Sequence, residues 1–267
     1  MVPESTRPER LAFVPTLLSN LVPLAGIAFL GWSARNVLFV YWIEVGVLVL
    51  LYSGLTLFAQ REPRPDERTI RPVTLSVPFV GTSSDSTRPV DWLPPIHSRN
   101  LRYAAGMFVW GLGFWACLSV LMVVLPSPRH VGHDSGMSEL VAVVSAAYSP
   151  TVLLSVCALV VSRVVTVRRE FFGRRTYERL SAPMTAEIPA RQVVFWFLLT
   201  PVAQLVLPVV ALPLVGVFDQ RTLVEGGIAL LVVAGKLFVE WSNFRAQELG
   251  DTDGVAGWFT PEELEDR

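Results

Sequence analysis

The amino-acid sequence predicts an all-α fold, a polytopic transmembrane helix bundle of about six spans with both termini in the cytoplasm. Three observations carry that prediction. Hydrophobic residues make up 52% of the 267 residues and charged ones only 17%, with a mean hydropathy of +0.48. A soluble domain of this size needs more charge to cover its surface. The apolar residues also come in blocks, and a block of about 20 crosses about 30 Å of hydrocarbon at about 1.5 Å per residue. Finally, arginines collect in alternate loops, as retention of basic residues in the cytoplasm requires.

The first span is expected at 11–31 and the second at 37–59, joined by a turn that permits only an antiparallel hairpin. The apolar run of the first is too long for a signal-peptide core and lacks a small-residue cleavage site, so it is read as an uncleaved span. The third is expected at 103–125 and the fourth at 140–161, with Pro126, Pro128, Gly132 and Gly136 breaking the chain between them. The fifth, 193–217, contains Pro201, Pro208 and Pro213, which predict kinks. The sixth, 223–241, contains Glu225, Lys236 and Glu240, so a re-entrant or interfacial segment is the alternative there. Cys117 and Cys157 fall inside spans, where burial as small apolar side chains is expected.

Chain 1–267 reads as one membrane domain carrying two larger cytoplasmic loops and a tail. Loop 60–102 holds Pro63, Pro65, Pro72, Pro78, Pro89, Pro94 and Pro95, a density that predicts an extended linker rather than a packed domain. Loop 162–192 is basic and continues the fourth helix into the cytosol; the tail, 248–267, is acidic. With this order of spans, 18 arginines fall on the inner face and three (Arg35, Arg129, Arg221) on the outer. That split supports an even number of spans and a multi-pass protein of the cell membrane.

Several polar residues stand out against the apolar background. Glu44 lies within the second span, where a carboxylate costs several kcal/mol unless protonated or paired. Counted from the outer end, it sits roughly 10 Å deep, level with Tyr148 and Gln204. No basic residue is expected in that outer half, so Glu44 is expected to be protonated and bonded to Gln204, Tyr148 or a carbonyl freed by Pro208 or Pro150. A functional carboxylate and simple glue between helices remain open alternatives. Lys236 and Glu240 share a helix face four residues apart, which is read first as a local ion pair fixing the helix end. The sharper alternative turns Lys236 inward, level with Asn20. Arg168, Arg169, Arg174 and Arg175, with Phe171 and Phe172, fit a headgroup-facing surface for anionic lipid, against plain positive-inside anchoring. Gly111, Gly113, Gly226 and Gly227 are read as points of close helix contact.

Catalytic signals are sparse. His130, His133 and Asp134 share an outer loop, but no helix fixes their spacing as a metal set. The chain contains no H-E-x-x-H, G-x-S-x-G, G-x-x-x-x-G-K-[ST] or G-x-G-x-x-G. No cofactor, metal or nucleic-acid partner is implied. The expected partner is the lipid bilayer, with anionic lipids at the arginine cluster.

Asn36 followed by Tyr41-Trp42-Ile43-Glu44, Pro189-Ala190-Arg191 at the entry to the fifth span, and Lys236 with an acidic residue four on resemble the prokaryotic integral membrane family called domain of unknown function 6498. The resemblance implies a multi-span architecture and singles out Glu44, Arg191, Lys236 and Glu240. Arg191 joins the candidate headgroup contacts. The resemblance supplies no reaction. Where it leads one to expect histidines, this chain has Phe195-Trp196 and Trp241-Ser242-Asn243.

The functional expectation is a non-enzymatic membrane protein, either a small-solute or ion permease or a subunit of a membrane assembly. The alternative is a membrane-embedded enzyme acting on lipid or a lipid-borne substrate.

Overall fold

Apolar runs punctuated by glycine, proline and asparagine give eight helices among the residues that the computed structural model describes, which are 13–68, 72–75, 85–124, 141, 145, 149–211, 220–249 and 253–262. These are α1 (Val14–Leu30), α2 (Ala34–Thr56), α3 (Leu101–Val124), α4 (Pro150–Val167), α5 (Thr176–Arg179), α6 (Ala182–Ala211), α7 (Gln220–Glu248) and α8 (Val255–Phe259). A two-residue antiparallel pair, β1 (Ser86–Thr87) with β2 (Ile96–His97), matches Ser86 to His97 and Thr87 to Ile96.

Among the described residues, three helical stretches are long and apolar enough to cross a membrane: Asn36–Thr56, Ser98–Ser119 and Pro150–Gly173. Thr16–Leu30 is apolar but shorter. The helices depart from the expected spans mainly at their ends. α4 continues past 161 to Val167 and then widens into a π-helical turn, Arg168–Gly173. α6 begins eleven residues before 193 and runs without interruption through Pro201 and Pro208, while Pro213 lies outside the described residues. α7 is a continuous helix of 29 residues, in place of the 19 expected at 223–241. Its length excludes a break at Lys236.

Contacts divide the chain into two compact units, and several helices contribute to both. The first comprises Met1–Ile43, Cys117–Leu159 and Val194–Thr260. Its core gathers Leu24 and Ile27 of α1, Val37, Val40 and Tyr41 of α2, Val152 and Val156 of α4, and Ala229, Val232 and Val233 of α7. Gly31, at φ 66°, closes α1 with its N–H on the Gly26 carbonyl, a left-handed conformation that glycine adopts without steric cost. Trp32 folds back so closely that a Cβ on Gly26 would lie 2.4 Å from its ring. Asn36 then starts α2: its Oδ1 accepts the Ser33 backbone N–H at 2.9 Å, the return half of a capping box. Beyond α7, α8 buries Ala256 and Phe259 against Val239 and Ala246. The tail expected only to be acidic therefore also carries an apolar anchor.

The second unit comprises Glu44–Ala116, Val160–Val193 and Pro261–Arg267. In its core Leu55, Phe171, Leu180, Met184 and Ile188 are buried, with Tyr52, Phe58, Phe172 and Tyr177 around them. α2 and α3 approach closely at glycines: a Cβ on Gly111 would lie 2.6 Å from Val49 Cγ1, and one on Gly46 2.9 Å from the Trp115 ring. Gly113 and Gly226, expected to serve the same purpose, face open space.

The proline-rich loop is also more tightly held than its composition suggests. Asn100 is fully buried and donates to the Leu57 and Ala59 carbonyls just beyond α2. Those carbonyls lack helical partners, and the asparagine side chain supplies one. Gln60 and Arg61 donate backbone N–H groups to Tyr177 and Leu180. Cys117 and Cys157 are exposed rather than buried; on apolar helices, a small weakly polar thiol is tolerated against lipid as readily as in a core.

Candidate functional site

Among the described residues, buried polar side chains come together in three clusters, each inside one unit. In the second unit, Glu44 is 2% exposed and accepts from Arg163, whose Nε lies 2.8 Å from Glu44 Oε1 and whose Nη2 bonds to the same oxygen. Glu44 is the ninth of the 21 residues in Asn36–Thr56, and Arg163 the fourteenth of the 24 in Pro150–Gly173. At about 1.5 Å per residue, each lies at least about 12 Å from either end of its helical stretch. The expectation that Glu44 has no basic partner is thus corrected: it is paired with the Arg163 guanidinium. The side chains of Tyr148 and Gln204, its expected partners, lie outside the described residues.

Hydropathy treats a charge as the end of a span, so the sequence places Arg163 in the inner loop, 162–192. Here α4 carries it onward, flanked by Val160 and Val161 before it and Val164 and Val165 after it. That arginine, with Ser162, inside a run otherwise made of valines is the signal that would have found it. Pairing is the physical reason the helix tolerates it, because the opposite charges offset part of each other's desolvation.

The first unit holds the second cluster. Lys236 is 3% exposed and Glu240 7%, with Lys236 Nζ donating to Glu240 Oε1 at 2.6 Å. The other carboxylate oxygen accepts from Asn20 Nδ2 at 2.5 Å. Tyr41 Oη donates to Asn20 Oδ1 at 3.3 Å, and Lys236 Nζ lies 5.9 Å from the centre of the Tyr41 ring. One turn of α7 thus presents a cation and an anion inward, where α1 and α2 meet them with an amide and a phenol. The geometry matches the inward alternative for Lys236.

A third cluster, in the second unit, joins loop, helix and tail. Arg68, 8% exposed, bonds to Glu187 Oε2 and donates to the Glu262 carbonyl at 3.1 Å. Arg191 Nε donates to Glu187 Oε1 at 2.8 Å, and the Glu262 backbone N–H reaches Glu187 Oε2 at 3.2 Å. Arg191 therefore turns to its own helix, one turn back, rather than to headgroups. Arg68, Glu187 and Glu262 had no local sequence signal, since their pairing joins positions far apart in the chain. Arg168, Arg169, Arg174 and Arg175, in contrast, are all exposed.

His97 sits just before Ser98–Ser119, with its pKa lowered by burial and then by the Arg99 charge. Among the described residues, no group of three or more histidine, cysteine or acidic side chains is arranged to hold a metal ion. His130, His133 and Asp134 lie outside those residues. What the clusters offer chemically is charge: two buried carboxylates held by cations, where proton or ion binding changes the pairing directly.

No curated protein and no solved structure matches the chain. The sequence matches the Family of unknown function (DUF6498) over residues 3–248. That interval takes in α1 to α7 and the residues that resembled the family motifs: Asn36 capping α2, Glu44 on Arg163, Arg191 on Glu187, and Lys236 on Glu240. The chain belongs to this family.

Proposed function

We propose that the protein is a six-span permease of the cell membrane for a small solute or ion, with both termini cytoplasmic and with Glu44 and Glu240 as its ion- or proton-responsive groups. The observation that carries this reading is the Glu44–Arg163 pair, placed well inside two stretches long and apolar enough to span. Ionisable residues at such depth are expensive, and in membrane proteins they mark ion and proton pathways by default. The Lys236–Glu240–Asn20–Tyr41 cluster adds a second such level. Protonating either carboxylate removes the charge that holds its cation, and a solute cation bound there displaces that partner. Binding is thereby coupled to a change in helix contacts.

Two experiments test the two halves of the reading. A reporter fused after Arg267 should be cytoplasmic and one inserted at Gly136 should be outside; the same side for both contradicts the even span count. For transport, the purified chain in liposomes containing a pH dye should dissipate an imposed pH gradient faster than empty liposomes when a panel of inorganic ions and small organic acids and bases is supplied. Glu240→Gln and Glu44→Gln should slow it. Flux equal to that of empty liposomes across the whole panel contradicts the permease.

A further inference from the structure

The exposed face of α4 carries a ligand-binding pattern that the permease reading does not use. Val161, Val164, Val165 and Arg168 stand at helical spacings of three and four, and so lie along one face. The three valines are 61%, 47% and 57% exposed, and Arg168 and Arg169 are exposed just beyond them. Only 6% of the most apolar window of this helical stretch is buried within the protein. Two glutamates accompany the five arginines between 168 and 179: Arg169 Nη2 lies 3.2 Å from Glu170 and Arg175 Nη1 3.8 Å from Glu178. The segment remains cationic after both pairs are counted.

The backbone here is ordered for display. At the π-helical turn Arg168–Gly173, Phe171 is buried and packs edge-on against Phe172 at 5.2 Å. Phe172 in turn meets Phe58 at 5.7 Å. Arg175 follows in the left-handed region at φ 53° and is 72% exposed in its side chain. With the aromatic residues anchored inward, the turn holds Arg168, Arg169, Arg174 and Arg175 on the outside. π-helical turns of this kind recur at functional sites.

We infer that the end of α4 and the turn after it form a binding site for an anionic phospholipid. Its acyl chains lie along Val161, Val164 and Val165, and its phosphate is held by Arg168 and Arg169, with Arg174 and Arg175 flanking. An apolar stripe ending in guanidinium groups matches a molecule that is hydrocarbon at one end and phosphate at the other. Nucleic acid would satisfy the arginines and leave the valines bare. A second copy docked symmetrically along α4 would cover the valines but set arginine against arginine. The proposal rests on the membrane half of the reading above and is independent of permeation.

The test is native mass spectrometry of the full chain, purified in detergent, with lipid stripped and an equimolar mixture of phosphatidylglycerol and phosphatidylcholine added back. Each arginine near an anionic headgroup contributes about fivefold in affinity. The wild type should therefore retain phosphatidylglycerol over phosphatidylcholine by at least fivefold, and Arg168→Gln/Arg169→Gln should bring the ratio close to one. Arg168→Lys/Arg169→Lys should keep most of the preference, and it decides the matter if the glutamine variant fails to fold. Equal retention of the two lipids by the wild type, or an unchanged ratio in the glutamine variant, overturns the site. So does displacement of the lipid by millimolar inorganic phosphate, which would make free phosphate the ligand, or a lipid-independent dimer abolished by a charge on Val164. Release of the chain from membranes by an alkaline wash would instead overturn the membrane reading itself.

Discussion

Glu44 and Glu240 are both buried carboxylates, but they are neutralised in different ways. Glu240 meets Lys236 on its own helix, one turn away, and receives further help from Asn20. Glu44 meets Arg163, 119 positions along the chain on another helix. The first pair survives any movement of α7 as a rigid rod, since both charges travel together. The second survives only while α2 and α4 keep their relative position. A within-helix pair makes a charged helix tolerable; a between-helix pair also fixes which helices are neighbours.

That difference orders the expected effects of substitution. Arg163→Leu leaves Glu44 buried without its cation, and loss of one member of a buried pair costs about 3–5 kcal/mol. Unfolding of the purified chain in mixed detergent–SDS micelles should show a loss of that size. Lys236→Met should cost less, about 1–3 kcal/mol, because Asn20 continues to donate to Glu240. Equal losses for the two variants would break the comparison. Asn20→Ala should cost about 0.5–1.5 kcal/mol, the range found for hydrogen bonds between membrane helices. If it exceeded Lys236→Met, the amide rather than the ammonium would be the main partner of Glu240.

The smallest effect lies outside both pairs and calibrates the pH range in which they are measured. His97 has a pKa lowered by burial and by Arg99, so the unfolded chain, with an ordinary value of 6.5, takes up a proton before the folded one does. Stability is then fully present above that value and declines as the pH falls through it towards the lowered folded value. A melting series from neutral to mildly acidic pH should show a shallow decline that His97→Gln removes. A wild-type melting temperature that rises over that interval would contradict the direction.

The contrast also separates what the sequence could reveal from what it could not. Lys236 and Glu240 are legible because a spacing of four on a helix places them side by side. The inward position of Asn20 was reachable by counting depth. Glu44 was legible as costly, but its partner was hidden, since a charge in a hydropathy profile reads as the end of a span. Arg163 became a loop residue for that reason, and the counting then left Glu44 with Tyr148 and Gln204. In the described parts of the proline-rich loop, composition registers the prolines, whereas Asn100, Arg68 and Gln60 bond to distant backbone and side chains, which composition does not register. Arg191 illustrates the converse. Its motif was visible, but the choice between a headgroup and Glu187 depended on where α6 begins.

Whether Glu44 and Arg163 act as one unit is decided by a double-mutant cycle with Glu44→Gln and Arg163→Gln, read by unfolding in mixed micelles. The double variant should be more stable than the sum of the two single losses implies, with a coupling of about 2 kcal/mol. Losses that add to within about 0.5 kcal/mol would show that the two residues act independently, and would contradict that coupling.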